Sequence, residues 1–82
     1  MALFYFCIQT DDGLINDEEG SELSGPDEAR REAVEAAREI VAEFAQTGRE
    51  LNVQAIVVTD GDGRPVVTVR FESVLPARLR LN

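Results

Sequence analysis

The sequence predicts an α+β domain in the order β–(short β)–α–β–β. One amphipathic helix would pack on an antiparallel or mixed sheet of roughly three to four strands. Three observations predict it. Residues 26–47 carry apolar side chains at helical spacing, between a start signal and a stop. Two runs rich in aromatic and β-branched residues, Ala2–Thr10 and Val53–Thr59, flank that helix. Aspartate- and glycine-rich turns follow both runs, at Asp11-Asp12-Gly13 and Asp60-Gly61-Asp62-Gly63. We divide the chain into one domain over residues 1–72 and a tail over 73–82 that is either frayed or a short edge strand.

In chain order, Ala2–Thr10 places Phe4, Phe6 and Ile8 on one face and Leu3, Tyr5 and Cys7 on the other. Both sets are apolar, as in a strand covered on two sides. Leu14-Ile15 is a short return strand after the first turn. Residues 16–22 read as a polar, acidic connection, with Gly20 supplying a turn of positive φ and Leu23 stapling the chain onto the core.

The helix opens with Gly25 at the cap, Pro26 at its first position, and Asp27 and Glu28 in its first turn, where negative charge meets the positive end of the helix dipole. Thr47-Gly48 ends it, because glycine takes the left-handed closing conformation at no steric cost. Ala29, Ala33, Ala36, Ala37, Ile40 and Phe44 form its central apolar stripe. Val34, Val41 and Ala45 widen that stripe on one flank, while Glu28, Glu32, Glu35, Glu39 and Glu43 make an acidic stripe on the other. After Gly48, residues 49–52 cross to Val53–Thr59, where Ile56 and Val58 face one way and Val53, Ala55 and Val57 the other. The hairpin at Asp60-Gly61-Asp62-Gly63 returns through Pro65–Glu72, with Val67, Val69 and Phe71 on one face and Val66, Thr68 and Arg70 on the other.

Composition narrows the functions. With 82 residues the chain makes one small domain whose core is marginal unless something adds to it. Its net charge of −8 disfavours nucleic acid and anionic membranes as partners. No signal peptide or spanning helix is apparent, so a cytoplasmic location is the default. The chain has no His, which removes the commonest general base and the commonest metal ligand, and its single Cys7 lies in a strand where a buried, inert thiol is expected. No phosphate loop and no nucleophile with a base partner occurs, so we expect no catalytic residue, no cofactor and no enzyme.

One cation site needs a condition. If the two long strands ran parallel, Asp11 and Asp12 would end beside Asp60 and Asp62, and four carboxylates can hold Mg²⁺ or Ca²⁺. The Asp60 loop alone fails the calcium pattern, since Arg64 stands at a ligand position.

The apolar residues outnumber what one helix can cover. Leu3, Tyr5, Val34, Val41, Ala45, Val53 and Val57 are therefore the candidate self-association residues of a homodimer. The glutamate stripe, Glu28, Glu32, Glu35, Glu39 and Glu43, is the candidate face for a basic protein partner, although most such charge runs are simply solvated. The expected function is a non-enzymatic interaction module; the alternative is a small metal- or ligand-binding domain using the turn aspartates.

Several segments occur together in a recognisable set: Phe4-Tyr5-Phe6, the run from Asp12 to Gly20, Glu22-Leu23, and the hairpin from Val58 to Val66. In this the chain resembles a family of small bacterial proteins, common among alphaproteobacteria and described as domain of unknown function 6894. The run Asp17-Glu18-Glu19-Gly20-Ser21-Glu22-Leu23 is the most specific part of the likeness. Ser24-Gly25-Pro26 departs from it, where Pro-Asp would cap the helix. The resemblance implies no activity. The element order is also similar to that of HicB-type antitoxins, whose small domains mask a toxin.

Overall fold

Long alternating strands and one capped helix assemble as the patterning requires. The computed structural model describes residues 1–48 and 52–75. Its elements are β1 (Ala2–Thr10), β2 (Gly13–Ile15), β3 (Ser21–Leu23), α1 (Pro26–Thr47), β4 (Val53–Thr59), β5 (Pro65–Arg70) and a 3₁₀ turn at Phe71–Val74. The α+β class holds, with one helix on a five-stranded sheet. Residues 76–82, and with them the suggested edge strand at Leu79–Leu81, lie outside the described residues, as do 49–51 of the crossing.

All pairings are antiparallel. β1 is central: β4 lies along one edge, with β5 beyond it, and β2 and β3 follow each other along the opposite edge. The helix is therefore not a parallel crossover between the two long strands. The segment read as a plain acidic connection contains β3, a three-residue strand whose only apolar side chain, Leu23, is buried in the core. Three residues are too few to display a period of two. The final hairpin strand stops at Arg70 rather than Glu72, and Phe71 turns inward at the start of the 3₁₀ turn.

The helix caps as predicted, with Gly25 before Pro26, and Gly48 in the left-handed region donating its N–H to the Phe44 carbonyl at 3.1 Å. Gly25 has no side chain to cap with. Glu28 compensates by accepting the Ser24 N–H at 2.7 Å, which satisfies one amide where the chain enters the helix and holds the Glu28 carboxyl below its usual pKa.

Small residues on the helix meet large ones on the sheet. Ala29, Ala33 and Ala37 are fully buried, and without long side chains they let the helix lie close to Phe4, Ile56, Val58, Val67, Val69 and Phe71. The helix sits over β4, β5 and the 3₁₀ turn and touches β3, leaving β1 and β2 under its flank. Two bulges change assignments. Val58 pairs with Val67 but Thr59 with Pro65, so Val66 is an extra residue and drops out of the alternation expected for it with Thr68 and Arg70. Gln9 pairs with Ala55 but Thr10 pairs with Val53, so Gln54 is the extra residue. That extra residue turns Val53 to the helix side, where it packs against the core instead of sharing a face with Ala55 and Val57.

Candidate functional site

The turn aspartates are the first question, and strand direction answers it. Tyr5 pairs with Thr59 and Thr10 with Val53, so the Asp11 turn and the Asp60 turn lie at opposite ends of the sheet. The six β1 residues from Tyr5 to Thr10 lie between them, so the turns are more than about 17 Å apart along the strand axis. Asp11, Asp12, Asp60 and Asp62 therefore do not gather, and the condition for the four-carboxylate cation site fails. Among the described residues no three His, Cys, Asp or Glu side chains converge as metal ligands.

Each turn instead uses its carboxylate locally. Asp60 Oδ1 accepts the N–H groups of Asp62 at 2.9 Å and Arg64 at 3.0 Å, which holds its carboxyl below the usual range, chiefly through the Arg64 amide. Asp11 Oδ1 accepts the Gln54 side-chain amide at 3.0 Å and its own N–H donates to the Asn52 carbonyl at 3.1 Å.

Asp17 does more. β2 pairs with residues 8–10 of β1 and β3 with residues 2–4, so Phe6 stands where the edge has no strand partner. Asp17 Oδ2 fills that place, accepting the Phe6 N–H at 3.0 Å, while Oδ1 accepts Glu19 at 3.2 Å and Gly20 at 3.3 Å. The carboxyl is held low, first by the Phe6 amide and against a smaller opposing effect of burial. Gly20 completes the device at φ 74°, and a Cβ there would stand 3.0 Å from Tyr5 Cε2 and 3.2 Å from the Phe4 carbonyl oxygen. Sequence reasoning gave Asp17 no role; its signal was an aspartate three residues before a turn glycine.

Two surfaces remain. The first is the sheet face away from the helix, along which the pairing places Leu3, Tyr5, Cys7 and Gln9 of β1, Leu14 of β2, Glu22 of β3, Ala55, Val57 and Thr59 of β4, and Thr68 and Arg70 of β5. Cys7 and Ala55 are buried there, whereas Leu3 is 38% exposed and Leu14 51%. Among the described residues no element crosses this face, and both the helix and the 3₁₀ turn lie on the other. Of the seven candidate self-association residues, Leu3, Tyr5 and Val57 belong here. Val34, Val41 and Val53 are half-buried against this chain's own core, and Ala45 is exposed on the helix. The seven do not form one patch.

The second surface is a groove between the helix flank and β1–β2. Two hollows of about 300 and about 290 Å³ follow one another along it. Phe6, Ile8 and Ile15 make the floor, Ala36, Ile40 and Phe44 the helix wall, and Asp17, Glu32 and Glu43 the rim. Of the acidic stripe, Glu32 and Glu43 thus border an apolar hollow, Glu28 is engaged with Ser24, and Glu35 and Glu39 are exposed. No sequence signal placed this groove, because it depends on how far off-centre the helix lies.

Residues 3–72 match the family described as Domain of unknown function (DUF6894). The chain belongs to that family. The match spans β1 through the first residues of the 3₁₀ turn, so the whole helix-on-sheet unit is the DUF6894 domain. No curated protein and no solved structure matches the chain. No helix among the described residues of this DUF6894 protein is long and apolar enough to cross a membrane.

Proposed function

We propose that this chain is a non-enzymatic interaction module that pairs with a second copy of itself through the open sheet face. The observation that carries the reading is the character of that face. Leu3, Tyr5, Leu14 and Val57 are exposed or half-exposed there, and its described strand residues carry only Glu22 and Arg70 as charges, one of each sign. A chain of net charge −8 repels its own copies across most of its surface. This neutral, apolar face is where two copies meet at least electrostatic cost, and apolar patches of this kind mark protein contacts. The absence of His, the burial of Cys7, and the engagement of Asp17 and Asp60 by backbone amides all support a role without catalysis.

Light scattering on the purified chain tests it. The account expects a mass twice the 9.0 kDa of one chain at micromolar concentration, and a return to 9.0 kDa in Val57→Glu, which plants like charges across the two-fold contact. A wild-type mass of 9.0 kDa at every concentration refutes the reading.

A further inference from the structure

We propose that the groove between α1 and β1–β2 is a second docking site, one that takes a cationic amphipathic segment of a partner protein. The site is distinct from the open face, being on the opposite side of the sheet, so it stays available when two copies pair.

Its chemistry selects the occupant. The floor and wall are apolar: Phe6, Ile8, Ile40 and Phe44 are half-buried, and Ile15 is 57% exposed at the outer lip. A partner must therefore bring apolar side chains to fill the two hollows. The rim is of one sign. Asp17 and Glu32 border the first hollow and Glu43 the second, with Glu35 and Glu39 on the same helix stripe. Glu32 and Glu43 have no arginine three or four residues away on the helix. Arg30, Arg31 and Arg38 lie 100° or more round from both by the 100° rotation per residue, Arg31 and Arg38 standing beside Glu35 instead.

A second feature points the same way. The last helical turn, at the Phe44–Thr47 end of the groove, holds no basic residue. Its C-terminal carbonyls carry the negative end of the helix dipole beside Glu43. A cation is favoured there on two counts. Nucleic acid and anionic lipid are repelled by the same rim, and a second copy of this acidic chain is a poor occupant.

The spacing sets the probe. Ala36 in the first hollow and Ile40 and Phe44 in the second are four and eight residues apart, about 6 and 12 Å along the helix. A helical peptide with Leu at positions i, i+4 and i+7 and Arg between them matches that reach.

The experiment is fluorescence anisotropy of that fluorescein-labelled Leu/Arg peptide titrated with the full chain at low and physiological salt. The expected result is saturable binding, weakened about fivefold to tenfold by Glu32→Gln with Glu43→Gln, and similarly by Ile15→Ser, whose exposed position leaves the melting temperature unchanged. Val57→Glu, on the other face, is expected to bind as wild type does, which separates this site from the self-association reading. A peptide with Leu replaced by Ser that binds equally well overturns the proposal, since only diffuse attraction would remain. So does an absence of binding at low salt, or equal binding by the Glu32/Glu43 double variant.

Discussion

Ile56 and Val57 are neighbours on one strand and live in different surroundings. Ile56 points under the helix and is buried within a layer closed by Ala33, Ala37 and Phe71; Val57 points the other way and is only half-covered. The two faces of the sheet differ in the same manner. One is sealed by this chain's own helix through small-to-large packing, and the other has a neutral, apolar surface with no described element across it. The difference teaches that strand patterning sets how much apolar surface a sheet makes, while the number of helices sets how much one chain can hide.

Substitutions at these two positions break the comparison most sharply. Ile56→Ala is expected to cost about 2–5 kcal/mol in urea unfolding, from lost burial plus the cavity left behind. Val57→Ala is expected to cost under about 1.5 kcal/mol when the chain is dilute, and more as concentration rises, because its remaining cover comes from a second copy. Equal costs at both positions, independent of concentration, would erase the distinction between the faces.

The edge holding β1 to β2 and β3 gives the next largest effect. Asp17→Ala strands the Phe6, Glu19 and Gly20 amides and is expected to lower stability by about 1–3 kcal/mol. Because the Asp17 pKa is depressed in the folded state, its contribution is complete above the unfolded carboxyl value near 3.9 and disappears as pH falls through the lower folded value. The gap between wild type and Asp17→Ala should therefore be constant around neutral pH and close in strong acid, as read from urea midpoints across pH. A gap that persists below the folded value would assign the loss to packing.

Gly20→Ala follows, at about 1–2 kcal/mol, since it combines positive φ with a Cβ crowded by Tyr5 and Leu3. Smallest is Glu35→Gln, on the exposed outer helix, expected to move stability by less than about 0.5 kcal/mol.

Much of this architecture is legible in the sequence because α1, β1 and β4 are long enough to repeat their periods several times. Their bounds, Pro26–Thr47, Ala2–Thr10 and Val53–Thr59, follow directly from apolar spacing and from Gly-, Pro- and Asp-marked ends. Register is what the sequence leaves open. The direction of β1 against β4 decides where the Asp11 and Asp60 turns lie, and no local pattern encodes it. The bulge at Gln54 moves Val53 between faces, and β3 owes its existence to pairing with residues 2–4 of β1. Leu3, Tyr5 and Val57 can be read from alternation as surplus apolar residues. Separating Val34 and Val41 from them needs the position of the helix, because a helical wheel gives angles but not how far the helix is displaced across the sheet.

Tyr5 offers the most direct test of the central claim, that a second copy covers the open face. It is the single tyrosine of the chain and lies on that face. Its nitration rate in the wild-type chain at high micromolar concentration should be well below that in Val57→Glu, with the wild type becoming more reactive as dilution separates the copies. Nitration equally fast in both proteins, at all concentrations, would contradict the account.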